Sequence, residues 1–344
     1  MSISHLTRDT LRNLIGDQLS NQENEWMWSC LHIPHLSSPA NNENTTSRAE
    51  IAFALALRLL AELVRRVPES TLYIERIQKH QQNLIFDHGA LRTVDWFSGQ
   101  LPRGEASFTR FLTALGYTHA ATYPLTRLKM TGRSYAHEDF PEDIPQYFVS
   151  ELHPDRFSSD FQQAVSRVVG TSRDPLSPDD IALIEQLRRD KSLPIEQAKQ
   201  LIVSLAGCFD RQHEPITVED YALLKNESAE MAWIATEGNA FNHATDRVEN
   251  VLTLSEELRK EGFTIKDTIE ISQTKRVRQT AIKATQVERP FKQNENNINM
   301  TVPGSFFEFI SRDFFEENGI TKLDLAFDAS NATGIFKMTE ATAC

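Results

Sequence analysis

The sequence has little cysteine, and none of it forms a recognisable site. Cys30, Cys208 and Cys344 lie far apart in a chain of 344 residues, and no Cys-x-x-Cys pair occurs. This spacing argues against a disulfide framework, and each cysteine is interpreted as a core or surface residue. The first 20 residues also lack the apolar core of a secretory signal. Together these absences predict a reduced, cytoplasmic setting.

Long hydrophobic runs and the common ligand-binding loops are missing as well. The most apolar segment, Ile51 to Val64, is shorter than the roughly 20 residues that span a bilayer, and Arg58 interrupts it. No glycine-rich phosphate loop, dinucleotide fingerprint or Gly-x-Ser-x-Gly elbow is present. The 13 glycines and 14 prolines are too few for a collagen-like or low-complexity chain. We therefore expect a globular chain with no membrane partner.

Positive charge is scarce relative to negative charge. The chain has 36 Lys and Arg residues against 48 Asp and Glu residues, which gives a net charge of −12 at pH 7. This surplus disfavours nucleic acid as a partner, because the phosphate backbone attracts basic surfaces. It does not exclude an acidic small molecule, since a local cationic pocket can lie inside an acidic protein. The sequence leaves the oligomeric state open.

The order of helical and β-like patterns divides the chain into five segments of an α+β protein. Two β modules are expected to form one compact catalytic unit, with helices packed around them. The segments are residues 1–80, an N-terminal helical segment; 81–154, the first β module; 155–230, a charged helical insertion; 231–313, the second β module; and 314–344, a C-terminal segment.

The two β modules repeat the same order of features. Each begins with His-x-x-x-Arg in a strand-like region, continues with a helix and a Gly-aromatic step, and ends in strands with a late glutamate. We interpret this order as an internal duplication rather than as a coincidence between two ordinary βα segments. The corresponding residues are His88, Arg92 and Glu151 in the first module and His243, Arg247 and Glu308 in the second.

The spacing of His88 and Arg92 favours a site for an organic acid. In a strand, residues i and i+4 point to the same face, about 13 Å apart along the backbone. A metal lies about 2 Å from a histidine nitrogen, and the arginine fork suits a carboxylate. The pair could therefore hold a small acid with one end on a metal and the other on the guanidinium. The alternative is a hydrogen-bonded structural histidine beside a surface arginine.

Glu308 lies inside the apolar strand Ser305 to Ile310, where an uncompensated carboxylate is costly. It must be neutral, paired with a base such as Arg312, bound to a metal, or exposed on an edge strand. His88, His243 and Glu308 together would supply two histidines and one carboxylate, the ligand set of non-haem Fe(II) oxygenases. These three residues can meet only if the two modules pack side by side.

Three further residues are weaker candidates. Glu151 is a candidate fourth metal ligand by the repeat, although a surface glutamate is the favoured interpretation. Arg276 and Arg278 alternate on a β-like segment and share a face. That face is either a solvated surface or a second clamp for a carboxylate.

Taken together, the motifs of the two modules resemble a known family, the 2-oxoadipate dioxygenase/decarboxylases, from about residue 51 to residue 313. This family is similar to the vicinal-oxygen-chelate enzymes, which are built from paired βαβββ modules that form a cupped, mostly antiparallel sheet around one metal. The resemblance rests on FDHGALRT at 86–93, PLTRLKMTGRSY at 124–135, PEDIPQ at 141–146, FVSEL at 148–152, NH-x-T-x-RV at 242–248 and VP-x-x-FFEF at 302–309.

The resemblance implies a mononuclear Fe(II) held by His88, His243 and Glu308, with Arg92 binding the carboxylate of the substrate. The implied reaction consumes dioxygen and converts 2-oxoadipate to 2-hydroxyglutarate and carbon dioxide, in lysine catabolism. Arg247 is a further candidate for substrate binding. Two alternatives use the same architecture: a redox-inert hydrolase, lyase or isomerase with zinc or nickel, and a non-catalytic module that binds an organic acid.

Overall fold

The computed structural model describes residues 3–36, 44–293 and 296–327. Cys344 and residues 328–343 of the C-terminal segment lie outside these ranges. No helix in the described ranges is long and apolar enough to cross a membrane. The helices there are α1 Ile3–Ile15, α2 Asn21–Cys30, α3 Arg48–Arg66, α4 Pro68–Lys79, α5 Ala106–Leu112, α6 Ser159–Val169, α7 Pro178–Asp190, α8 Ile195–Gly207, α9 Val218–Glu227, α10 Ala229–Glu237 and α11 Val251–Lys260.

One curled eight-stranded sheet forms the centre of the molecule, in the order β3-β4-β5-β2-β7-β12-β9-β8. The described residues also form three two-stranded sheets, in which β1 pairs with β6, β10 with β11, and β13 with β14. The strands are β1 Thr45–Ser47, β2 Phe86–Val94, β3 Tyr117–Leu125, β4 Met130–His137, β5 Gln146–Leu152, β6 Ser192–Pro194, β7 His243–Arg247, β8 Glu270–Ile271, β9 Val277–Ala281, β10 Gln286–Gln293, β11 Asn296–Pro303, β12 Phe306–Arg312, β13 Phe314–Glu317 and β14 Ile320–Leu323.

The strand order confirms the predicted duplication and fold class. The first module runs β2-α5-β3-β4-β5, and the second runs β7-α11-β8-β9-β12 with the β10–β11 hairpin inserted before its last strand. In each module the first and last strands pair in parallel, and the other pairings within the modules are antiparallel. The modules join through one antiparallel contact between β2 and β7. The result is two βαβββ units in one sheet.

Different helices cover the two faces of this sheet. On one face, Leu91 of β2 and Phe307 of β12 belong to the large core shared with the N-terminal helices. On the opposite face, Val94 and Leu152 pack with α6 and with Trp233 of α10. Because successive strand residues point to opposite faces, this division fixes which side chains of β2 and β12 face α10.

The helical region extends further than the sequence predicts. The expected start of the second β module, residue 231, falls inside α10, and the first strand of that module begins at His243. The reason is burial: α10 is buried along its whole interior, from Glu230 to Glu237, so its apolar residues show no helical periodicity. The side chain of Ser228 caps the helix by accepting a hydrogen bond from the backbone amide of Met231.

The apolar segment that begins at Ile51 is the core of α3. Ser47 and Glu50 form a reciprocal capping box at its N-terminus, which fixes where the helix begins. Nearly every residue from Ala49 to Val64 is buried. Arg58 lies at the margin of this buried surface and pairs with Glu62 one turn later at 3.2 Å. The helix is therefore hydrophobic because it is internal to the fold.

Gly89 is a position where β2 cannot accept a side chain. A Cβ atom there would lie 2.3 Å from the ring of Phe241, which also packs against Phe209 and Tyr147. Because the surrounding rings hold Phe241 in place, Gly89→Ala is expected to destabilise the protein by ~1–3 kcal/mol in urea unfolding. The control is Gly207→Ala at the end of α8, where a Cβ meets no atom within 4 Å. Equal stability of the two variants would contradict this packing.

Asp246 of β7 makes the stability depend on pH. It is buried and accepts hydrogen bonds from the Tyr73 hydroxyl at 2.7 Å and the Ile85 amide at 2.8 Å. Burial raises the pKa of Asp246 from 3.8 to about 7. The folded state therefore binds more protons than the unfolded state between these values, and stability falls as pH rises from about 4 to 7.

Asp246→Asn is expected to remove this contribution, which amounts to at most ~4 kcal/mol. Urea unfolding of the metal-free protein at pH 5, 6, 7 and 8 measures it. The difference between variant and wild type isolates Asp246, because all other titrating groups are common to both proteins. The variant should gain stability relative to the wild type as the pH rises. A constant difference across this range would refute the assignment.

Candidate metal centre

Three neighbouring strands bring the predicted metal ligands together. His88 lies on β2, His243 on β7 and Glu308 on β12, and one ligand atom from each lies within 4.8 Å of the others. The register explains this meeting, because Thr245 of β7 pairs with His88 on one side and with Glu308 on the other. The two modules thus pack side by side, which is the condition that the hypothesis of a shared metal site required.

The environment of the two histidines favours the neutral form of both rings. His88 is 1% exposed and His243 is 5% exposed, and burial lowers the pKa of both. The Nδ1 atom of His88 lies 2.7 Å from a carboxylate oxygen of Asp87, so this nitrogen donates its proton and Nε2 carries the lone pair. Nε2 faces the cluster, where the hydroxyl of Thr245 lies 3.1 Å away. The side-chain amide nitrogen of Asn242 donates a hydrogen bond to Nδ1 of His243 at 3.1 Å, so it orients the second ring through a hydrogen bond of the opposite direction.

The carboxyl group of Glu308 is buried and only partly hydrogen-bonded. It is 1% exposed, and burial raises its pKa well above the usual range. Its Oε1 atom accepts a hydrogen bond from Thr245 at 3.3 Å, whereas Oε2 has no hydrogen-bond partner among the described residues. Arg312, the base considered from the sequence, pairs with Asp87 instead at 2.9 Å. Two neutral histidines and this carboxylate fit a divalent cation.

Arg92 lies on the same face of β2 as His88, as the spacing predicts. Its guanidinium is fully buried, forms an ion pair with Glu230 of α10 at 2.7 Å, and lies 4.8 Å from the ring centre of Trp233. The insertion therefore supplies both partners of this arginine. No spacing in the sequence connects Glu230 or Trp233 with β2, so their contact with Arg92 could not be predicted from the sequence.

The three other arginines predicted to bind substrate form contacts away from the cluster. Arg247 donates a hydrogen bond to a backbone carbonyl at 3.0 Å. Arg276 pairs with Asp324 at 2.7 Å, and Arg278 pairs with Asp313 at 3.0 Å. The structure does not bring these three side chains to the metal ligands. A hydrogen bond to the backbone accounts for the position of Arg247, and local ion pairs account for those of Arg276 and Arg278.

The repeat does not place Glu151 beside the metal ligands. In the second module, Glu308 pairs with Thr245, two residues after the histidine. The position two residues after His88 is Ala90, and its partner on β5 is Phe148. Phe148 is therefore the structural counterpart of Glu308. Glu151 lies three residues further along, and an odd offset turns its side chain to the opposite face of the sheet.

Glu151 belongs to a second group of potential ligands, with Asp95 and His153. These three residues already have protein partners. Glu151 pairs with Arg133 at 3.0 Å, and the Nε2 atom of His153 lies 2.8 Å from the hydroxyl of Thr131. His153 also lies 3.2 Å from Asp95. We interpret this group as a satisfied polar network rather than as a metal centre.

Known proteins resemble this chain in both sequence and fold. The family model of the 2-oxoadipate dioxygenase/decarboxylases matches residues 54–338. A glyoxalase-superfamily protein from Ralstonia eutropha JMP134 is 47% identical, with a TM-score of 0.89 over 93% of this chain and 98% of that chain. No curated protein matches the sequence significantly.

Two more distant structures share the fold. The hydroxyglutarate synthase of Oryza sativa, solved in complex with 2-oxoadipate, is 17% identical, with a TM-score of 0.67 over 88% of this chain and 98% of that chain. The corresponding enzyme of Pseudomonas putida, also in complex with 2-oxoadipate, is 16% identical, with a TM-score of 0.64 over 87% of this chain and 74% of that chain.

Proposed function

The chain belongs to the 2-oxoadipate dioxygenase/decarboxylase family, and from this premise we propose that it is an Fe(II)-dependent dioxygenase acting on a 2-oxo dicarboxylic acid. The proposed substrate is 2-oxoadipate, and the proposed products are 2-hydroxyglutarate and carbon dioxide, in lysine catabolism. The observation that carries this proposal is the buried cluster of His88, His243 and Glu308. Iron(II) bound there would offer open positions for a 2-oxo acid and dioxygen, and electrons for dioxygen reduction.

The surrounding residues orient His88 and shield the cluster from solvent. Asp87 fixes the tautomer of His88, and Arg312 holds Asp87 with two hydrogen bonds of 2.9 Å. This chain of contacts keeps the His88 ring in one orientation. Burial of all three ligands excludes bulk water, which protects a reactive centre from side reactions.

Arg92 is the proposed anchor for the distal carboxylate of the substrate. It lies four residues from His88 on the same face of β2, a separation along the strand of about 13 Å. Trp233 lies against the guanidinium and holds its plane. A substrate carboxylate would share this guanidinium with Glu230. The pairing with Glu230 keeps the buried charge compensated when no substrate is bound.

The proposed reaction balances without any further reactant. One molecule of 2-oxoadipate and one of dioxygen give one 2-hydroxyglutarate and one carbon dioxide. The first carboxylate leaves as carbon dioxide. One oxygen atom of dioxygen enters the new carboxylate, and the other forms the hydroxyl group. Isotope-labelled dioxygen should therefore place two labelled atoms in the hydroxy acid.

Oxygen consumption tests the proposal directly. Protein loaded anaerobically with Fe(II) is mixed with 2-oxoadipate and a panel of other 2-oxo acids, and dioxygen, carbon dioxide and hydroxy acid are measured. His88→Ala should abolish consumption, whereas the matched control His119→Ala, at an exposed position on β3, should not. Failure of every 2-oxo acid with iron bound would refute the proposal.

The alternatives have distinct signatures in the same experiment. Stoichiometric zinc with no gain from added Fe(II) would favour a redox-inert metalloenzyme. Binding of a 2-oxo acid that persists after replacement of His88, His243 and Glu308 would favour a non-catalytic binding module.

A further inference from the structure

A short segment after β14 contacts the buried cluster at His88. Residues 324–327 cross the face of the sheet that carries the cluster, and the ring of Phe327 lies 4.8 Å from the ring of His88. Ala326 is exposed and Phe327 is half-buried, so the segment has one side in solvent and one side against the cluster. The ligands beneath it are almost completely excluded from solvent. A substrate can reach them only if some part of this surface moves.

The segment is held by polar contacts from several strands. Arg312 of β12 donates to the backbone carbonyls of Asp324 and Ala326 at 2.8 and 2.9 Å. Gln146 of β5 donates to the carbonyl of Leu325 at 3.2 Å, and the hydroxyl of Tyr123 on β3 accepts from the amide of Phe327 at 3.0 Å. Neutral hydrogen bonds contribute about 1 kcal/mol each and those from a charged group about 1.5–3 kcal/mol, so these contacts order the segment but allow its displacement without unfolding of the sheet.

Phe327 and Phe148 form an apolar wall beside the line from His88 to Arg92. Their ring centres are 4.8 Å apart. Phe148 pairs with Ala90, which lies midway between His88 and Arg92 on the same face of β2. The contact of Phe327 with His88 is edge to face and leaves no gap for another group between the rings. The wall therefore bounds the space that an acid between cluster and guanidinium would occupy.

We propose that residues 324–327 form a cover over the cluster of His88, His243 and Glu308, and that Phe327 selects against 2-oxo acids branched at the carbon next to the keto group. The selectivity rests on the proposed function. An acid held through its carboxylate and keto oxygens has its third carbon beside the ligands, so a branch there meets Phe327 first. A straight methylene chain passes along the same wall without a clash.

Two isomeric acids test the selectivity without turnover. The protein is loaded with zinc, which is redox-inert, and binding of 2-oxopentanoate and 3-methyl-2-oxobutanoate is measured by calorimetry. These acids have the same charge and the same atoms and differ only in branching. The wild type is expected to prefer the straight isomer by about tenfold or more, and Phe327→Ala should reduce this preference to about threefold or less. The preference should persist in the control Phe314→Ala, at a position on β13 that is 64% exposed.

A second measurement tests the cover without any acid. The rate at which a chelator removes zinc from the protein should rise about tenfold in Phe327→Ala and remain unchanged in Phe314→Ala, because only the first variant opens the surface above the ligands. Phe327→Leu, which keeps most of the apolar volume, should give intermediate values in both measurements. Zinc stoichiometry confirms that each variant retains its site.

The outcomes separate this proposal from the proposed function. Wild-type values for both the isomer preference and the zinc release rate in Phe327→Ala would overturn the cover. Faster zinc release together with no binding of either acid by any protein would support the cover and overturn the selection by Phe327, whereas the proposed function is refuted separately, by the absence of oxygen consumption with every 2-oxo acid when iron is bound. Faster release with an unchanged isomer preference would overturn the role of Phe327 in selection.

Discussion

Glu308→Gln is expected to abolish metal binding at the cluster while leaving the metal-free protein at least as stable as the wild type. Glutamine keeps the shape of the side chain, but its neutral amide is a much weaker ligand than a carboxylate for a divalent cation. Loss of a residue that only supports a metal ligand lowers metal affinity by up to ~100-fold. Loss of a ligand itself should cost more, so we expect metal affinity to fall by at least ~100-fold. Turnover should fall by ~1,000-fold or more, which corresponds to ~4 kcal/mol.

The stability of the metal-free variant should move in the opposite direction. Burial raises the pKa of Glu308 well above 4.5, so the folded wild type binds more protons than the unfolded chain above that pH. Its stability therefore falls as pH rises from 4.5 toward the folded pKa. The stability of Glu308→Gln does not fall in this way, so at pH 8 the metal-free variant should be more stable than the metal-free wild type. Metal titration and urea unfolding measure the two effects.

The matched control is Glu316→Gln on β13, where the carboxylate is exposed. It should change neither metal affinity nor turnover. If Glu308→Gln bound iron as tightly as the wild type, the assignment of Glu308 as a ligand would be wrong. If the metal-free variant were strongly destabilised, the carboxylate would have a structural role that the contacts of Glu308 do not show.

Arg92→Ala is expected to be the most destabilising single change near the site. It leaves Glu230 buried, with a side chain 4% exposed, and without its cation. Breaking a buried ion pair by removing one partner costs ~3–5 kcal/mol. The double variant Arg92→Met with Glu230→Gln removes both charges and should recover most of that loss, because well-packed neutral residues often replace a buried pair at little cost.

Kinetics then separate the structural role of Arg92 from its role in binding. The double variant should fold and bind metal, yet its KM for 2-oxoadipate should rise by ~100-fold, which corresponds to loss of one charge-assisted contact with the distal carboxylate. Its KM for a 2-oxo monocarboxylate should change little. A double variant with the wild-type KM for 2-oxoadipate would show that the ion pair is purely structural.

The pair of Arg278 and Asp313 is the matched control for this experiment. Both side chains are partly exposed, at 23% and 46%. Ion pairs in such positions contribute between zero and ~1 kcal/mol. Replacement of both residues by Met and Asn should therefore leave stability nearly unchanged. It should also leave the KM unchanged, unless Arg278 acts as the second carboxylate clamp considered from the sequence.

The duplication was accessible from the sequence because each module repeats its chemical features in the same order. His88 and His243 mark the first strand of each unit, and the late glutamate of the second unit lies in its last strand. Strand periodicity also places His88 and Arg92 on one face. What the sequence could not supply was the register between strands. The order of features in the sequence matches Glu151 with Glu308. The strand register instead matches Phe148 with Glu308.

Contacts between distant segments were inaccessible for a related reason. Arg312 is the last residue of the strand that carries Glu308, yet its partner is Asp87 from the other module. Arg92 meets Glu230 from the helical insertion, and His88 meets Phe327 from the C-terminal segment. Such pairs depend on how the elements pack, and no periodicity within one element encodes them.

The antiparallel contact between β2 and β7 has a consequence for the nascent chain. His88 leaves the ribosome long before His243 and Glu308, and one histidine alone holds a metal weakly. The complete ligand set exists only after β12 has emerged and the two modules have docked. During synthesis the cluster of His88, His243 and Glu308 therefore offers no strong chelating site, and metal loading of this cluster is confined to the finished fold, where the geometry of all three residues is already set.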